Sequence, residues 1–160
     1  MKTDYPDVPV GYNYVDAQAL DLVRKPWDFD VLVTENMFGD ILSDLAGGLV
    51  GGMGMAACAE IGDHTGLFQP AHGSAPDIMG QDKANPLAAI LSGALMLDYL
   101  AEKLGNPHLS DAADLINHAV DDGFGNNRLR PIEFGGDMGT RAITQVVTDT
   151  VSESRQIAAQ

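Results

Sequence analysis

A short β-rich run that leads directly into an amphipathic helix constrains this chain most: FDVLVTENMFGDILSDLAG, residues 29–47. Residues 29–34 read as a buried strand, because Phe, Val, Leu and Thr suit a pleated, packed surface. From about Phe38 to Gly47 the apolar residues recur at helical spacing. Other segments repeat the mixture. Residues 14–23 place Val15, Ala19, Leu22 and Val23 on one helical face, and Pro26 stops that helix. GLFQPA reads as a second strand, and GGMGMAACAEIG as small, tightly packed backbone. Residues 72–86 form a long loop with Gly and Pro breakers. Helices are expected over about 86–103, 110–123 and 140–157, the last preceded by a turn at Asp137 and Gly139. The chain is mixed α/β.

Asp40 and Asp44 lie four residues apart in the first of these helices, one above the other on a single face. Like charges at that spacing repel. Either both face water, or something positive joins them. Two carboxylates on one helix make a rigid edge for a hard cation such as Mg²⁺ or Mn²⁺, which takes oxygen ligands in octahedral geometry. Spacing alone favours solvated charges. Asp16 falls in the first turn of its helix, where a carboxylate suits the positive helix end. It is also open to a role as a third ligand.

Charge and cysteine usage narrow the partners. The 160 residues carry nine Lys and Arg and a net charge of −14. Nucleic acid and anionic membrane surfaces both demand clustered positive charge. Cys58 is the only cysteine, so no intrachain disulfide or CxxC metal site can form, and a reducing, cytoplasmic setting is expected. The start, MKTDYPDVP, lacks a signal-peptide core, and no segment has the apolar length of a membrane span.

The loop HGSAPD, residues 72–77, gathers a glycine, a hydroxyl and several backbone N–H groups. Such loops cradle nucleotides through backbone donors. Asp77 could accept from a ribose 2′-hydroxyl and would repel a 2′-phosphate, which favours NAD over NADP. A plain structural turn is the other reading, with Ser74 and Asp77 bonding locally and Asn85 starting the next helix. The sequence holds no GxGxxG fingerprint of a Rossmann fold.

Four segments in order, YVDAQALDLV (14–23), FDVLVTENMFGDILSDLAGGLVGG (29–52), HGSAPDIMGQDKANPLAAILSGALML (72–97) and GGDMGTRAI (135–143), resemble the β-decarboxylating dehydrogenases. That family includes isopropylmalate, isocitrate, homoisocitrate and tartrate dehydrogenases. The resemblance implies an isopropylmalate dehydrogenase-like fold, three-layer α/β/α with a mixed sheet and not Rossmann. It implies that residues 1–52 belong to the dimer-forming, metal-binding domain and residues 53–160 to the NAD-binding domain. Asp40 and Asp44 would bind Mg²⁺ or Mn²⁺, and Asp16 matches an aspartate supplied to the same metal from the other subunit of a dimer. His72, Gly73, Ser74, Ala75, Pro76, Asp77 and Asn85 would line the adenosine side of NAD. The implied reaction is oxidative decarboxylation of a malate-type hydroxy-dicarboxylate such as 3-isopropylmalate, isocitrate or tartrate.

The chain departs from the family in two ways. Gln69 stands where the family usually has Glu, near the expected nicotinamide end. More consequentially, the chain resembles only the C-terminal half of the family's enzymes. The catalytic tyrosine, the catalytic lysine and the arginines that read the substrate lie upstream of any match. No residue here is assigned a catalytic role beyond an assisting one open to Asp16. The expectation is a C-terminal portion, inactive without the N-terminal half, that forms a homodimer or joins a separate N-terminal partner. The alternative is a non-catalytic remnant, a dimerising module that binds metal or nucleotide.

Overall fold

A computed structural model of the chain describes residues 4–158, which divide into two compact units, Met1–Leu49 and Val50–Gln160. The first unit is a helix pair. Helix α1 (Val15–Arg24) ends at Pro26, which opens a one-turn 3₁₀ helix, Pro26–Asp28. Helix α2 (Asn36–Leu49) packs on α1, and Leu22 and Leu42 are the large apolar side chains buried there. Gln18, on the same face of α1 as Leu22, is also buried. Its Oε1 accepts from Asn13 Nδ2 at 3.3 Å, while its Nε2 has no partner.

The strand expected over residues 29–34 does not form. Asp30 sits at a bend, and Asp30 to Val33 make no backbone hydrogen bond with any described residue. Val31 and Val33 are 81% and 92% exposed, respectively. β-Branched residues favour a sheet only where a neighbouring strand can pair with them, and none is present among the described residues. Burial, the other half of the expectation, fails for the same reason.

The second unit holds the core. Strands β1 (Ala57–Ile61) and β2 (Gly66–Pro70) form an antiparallel hairpin with Cys58 opposite Gln69. β1 falls inside the run expected to be only packed backbone. Its Ala-Cys-Ala start has weak intrinsic strand preference, and pairing with β2 overrides it. This hairpin is the sheet of the described residues, so the chain is α/β and contains two antiparallel strands of the expected mixed sheet. Helix α3 (Leu87–Leu104) packs on both strands and against α4 (Pro107–Gly125), which in turn meets α5 (Thr140–Ala158). Leu87, Ala119, Val120, Leu129, Ile143 and Val147 form the buried cluster between them.

Local chemistry sets the helix ends. Gly105 takes φ +62° after α3, and its N–H and that of Asn106 close back onto the last turn, as expected of a left-handed C-terminal glycine. Asn106 Oδ1 accepts from the His108 N–H at 3.2 Å and Pro107 takes the first helical position. This cap starts α4 three residues before the Ser110 expected from sequence. Leu87→Ala should cost about 2–5 kcal/mol, whereas Val33→Ala should stay within about 0.5 kcal/mol of wild type, both measured by denaturant unfolding. A small effect at Leu87 would mean that the core cluster is not packed as described.

Candidate functional site

In the first unit, α2 carries Asp40 and Asp44 on its surface, both exposed. Asn36 Nδ2 donates to Asp40 Oδ2 at 3.2 Å, and among the described residues neither carboxylate forms an ion pair. The structure therefore presents two hard oxygen donors, one turn apart, with no described Lys or Arg paired to them. That donor chemistry fits a divalent cation completed by water or substrate oxygens. Asp16 is exposed at the start of α1, where its Oδ1 accepts from the Ala17 N–H at 2.8 Å, the local bond of a helix-start carboxylate. Among the described residues no three His, Cys, Asp or Glu side chains converge on one point.

In the second unit, the 72–85 loop forms one wall of a cleft of about 610 Å³. His72, Gly73, Ser74, Ala75 and Asn85 all line it, so five residues singled out from sequence come together. Pro76 and Asp77 do not line it. They sit in a 3₁₀ turn, Pro76–Ile78, of which only Ile78 reaches the cleft. Asp77 is exposed, and its carbonyl accepts from Gln81 Nε2 at 2.7 Å. His72 Nδ1 lies 2.8 Å from the Gly73 carbonyl, so that nitrogen carries the proton. Ala75 adopts φ 43°, ψ 61°. A left-handed alanine costs about 1–3 kcal/mol and persists only where its surroundings fix it.

Other cleft residues had no sequence signal. Glu133, on a 3₁₀ turn at Ile132–Phe134, accepts from the Gly54 N–H through Oε1 (3.0 Å) and from Asn85 Nδ2 through Oε2 (2.9 Å). Asn85 Oδ1 accepts from the Leu87 N–H (3.2 Å), which caps α3. Asp82, at φ +55°, caps α5 by accepting from the Arg141 N–H at 3.0 Å, and Thr140 Oγ1 donates to the Ala84 carbonyl at 2.5 Å. Apart from the Asn85–Leu87 cap, these contacts link residues 48 to 79 positions apart in sequence. Periodicity cannot reveal them, although a glycine at 54 and a breaker pair at 135–136 hint at close approach. Gln69, the departure noted in sequence, lies on β2, where its Nε2 donates to Glu60 Oε1 at 2.9 Å.

Comparisons with known proteins agree on one family. The family model for isocitrate/isopropylmalate dehydrogenase matches residues 1–153. The chain is 50% identical over 148 residues to an isocitrate/homoisocitrate dehydrogenase of Thermus thermophilus, covering 92% of this chain and 42% of that protein. It is 45% identical over 150 residues to a 3-isopropylmalate/3-methylmalate dehydrogenase of Methanocaldococcus jannaschii, covering 94% and 43%. The crystal structure of an isocitrate dehydrogenase from Methylococcus capsulatus superposes with a TM-score of 0.81 at 42% identity, covering 93% of this chain and 42% of that one. The chain thus spans about two fifths of the length of the curated relatives it matches.

The cleft wall makes its own prediction. A Cβ added at Gly54 would lie 2.0 Å from Glu133 Oε2 and 2.8 Å from Asn85 Cβ, whereas one added at Gly73 meets nothing within 4 Å. Gly54→Ala should therefore destabilise the chain by about 1–3 kcal/mol in urea unfolding, and Gly73→Ala should leave it within about 0.5 kcal/mol. Equal effects would contradict this packing.

Proposed function

The chain belongs to the isocitrate/isopropylmalate dehydrogenase family, and on that premise we propose that it is the C-terminal portion of an NAD- and Mg²⁺- or Mn²⁺-dependent oxidative decarboxylase of a malate-type 2-hydroxy acid. The observation that carries the proposal is the cleft itself, where His72, Gly73, Ser74, Ala75 and Asn85 come together. Residues 1–52 serve as the metal-binding, dimer-forming part and residues 53–160 as the NAD-binding part. The observed division at Leu49 and Val50 lies close to that boundary.

Each part contributes binding rather than proton transfer. Asp40 and Asp44 would hold the cation, and Asp16 would add a carboxylate to it from the other subunit. Bound there, the cation would supply Lewis-acid chemistry for the hydroxyl and carboxylate oxygens of such a substrate, and NAD would supply the hydride acceptor that an oxidative decarboxylation needs. The 72–85 loop offers backbone N–H groups and the Ser74 hydroxyl to the adenosine side. Asp77, one residue from the cleft-lining Ile78, favours a free ribose hydroxyl over a 2′-phosphate by charge. No tyrosine or lysine of the family's acid–base machinery is matched in this sequence, so turnover requires the N-terminal half of the fold that supplies it. Cytoplasmic residence fits such an enzyme. Among the described residues no helix is long and apolar enough to cross a membrane.

Two measurements test this. Asp40→Asn or Asp44→Asn should abolish Mn²⁺ binding in calorimetry of the full chain, and wild-type affinity in both variants would remove the ligand assignment. Incubation of the purified chain with NAD, Mn²⁺ and 3-isopropylmalate, isocitrate or tartrate should produce no NADH. Turnover by these residues alone would disprove their dependence on the N-terminal half.

A further inference from the structure

We propose that Glu133 is a positioning residue for the nucleotide cleft, acting through Asn85 and Gly54; this rests on the nucleotide reading above. Both of its carboxylate oxygens are engaged, one by the Gly54 N–H at 3.0 Å and the other by Asn85 Nδ2 at 2.9 Å. Gly54 is buried and Asn85 is 7% exposed, so these donors have little access to water when the carboxylate is removed. The Gly54 carbonyl in turn accepts from the Ala88 N–H at 2.7 Å. One side chain thus ties together the segment before β1, the end of the 72–85 loop and the start of α3. Gly54, Asn85 and Glu133 all line the cleft.

The same bonds define what Asn85 can offer. Its Oδ1 is taken by the Leu87 N–H, and its Nδ2 by Glu133, with Met55 Sδ at 3.8 Å. The Asn85 side chain is thus held by the fold at both ends, with its Nδ2 committed to Glu133 and Met55. It spaces the wall, and the carboxylate of Glu133 sets its orientation. A charge-assisted bond is stronger than a neutral one and restricts geometry more tightly. Without it, Asn85 and residues 51–56 lose their common anchor, and the wall that a ligand must meet loosens. The effect on a ligand is therefore indirect, through the shape of the wall.

The test uses the full chain as wild type, Glu133→Ala and Glu133→Gln. Solvent exchange of the Gly54 amide and the Asn85 side-chain NH₂ is followed by NMR, and NAD affinity by calorimetry. Glu133→Ala should lose exchange protection at both groups and bind NAD about tenfold more weakly or worse. Glu133→Gln keeps one carbonyl oxygen and should be intermediate in both readouts, which also covers the case of an unfolded alanine variant. Wild-type protection in the variants would overturn the role, as would lost protection with unchanged NAD affinity. A wild-type chain that binds no NAD overturns the nucleotide reading itself, before any variant is compared.

Discussion

The second unit depends on a bridge made by one carboxylate. Glu133 joins Gly54 and Asn85, and hydrogen bonds to charged groups contribute about 1.5–3 kcal/mol each. The bridge works because Gly54 has no side chain: a Cβ there would occupy the space of Glu133 Oε2. It is anchored because the next turn of chain enters the core, where Leu87 is fully buried at the start of α3. The long loop from His72 to Ala84 is therefore not a free tether. Its far end is fixed by Asn85 and Leu87, and Asp82 and Ala84 clip it to the start of α5. A strained residue such as Ala75 can persist only in a loop held this way.

The first unit poses a different electrostatic problem. With nine cations in a chain of net charge −14, unpaired acids are unavoidable, so a carboxylate without a partner is not by itself a site. Several acids do find partners: Asp21 and Asp28 share Lys25, Asp122 and Glu153 share Arg128, and Asp137 pairs with Arg130. Exposed pairs of this kind add little stability. Asp40 and Asp44 differ because they share one face of one helix, where like charges cost about 0.2–0.5 kcal/mol. Asn36 offsets that cost at one carboxylate only. A divalent cation removes it at both.

Local signals were legible in the sequence. The five helices follow from apolar spacing and breakers, and the Asn106–Pro107 pair, once recognised as a cap, explains the early start of α4. The loop that walls the cleft was also legible, because HGSAPD is contiguous in sequence, as is the DxxxD pair of the first unit. What was hidden depends on partners far along the chain. Strand β1 exists because β2 pairs with it, despite its small residues. Glu133 reaches Gly54 across 79 positions, and no pattern of spacing encodes that meeting. Pro76 and Asp77 were expected on the lining with their neighbours but lie off it, because left-handed Ala75 leads the chain into the 3₁₀ turn that holds them.

The failed strand at residues 29–34 bears on function for the same physical reason. Strand character belongs to a pair, and a β-branched run without a neighbour is an unfilled edge. Val31 and Val33 lie in water, the intervening backbone is unpaired, and Gln18 keeps a buried N–H without an acceptor. Leu22 and Leu42 are the buried large side chains of this unit. Two such residues supply only a few kcal/mol, whereas ordering even a single residue of backbone costs about 1–2 kcal/mol. The first unit thus buries too little within itself to account for its own order. The two-fifths coverage of its relatives fits this shortfall, because a unit that lacks part of its family's fold lacks the neighbours that would pair with residues 29–34 and bury Val31 and Val33.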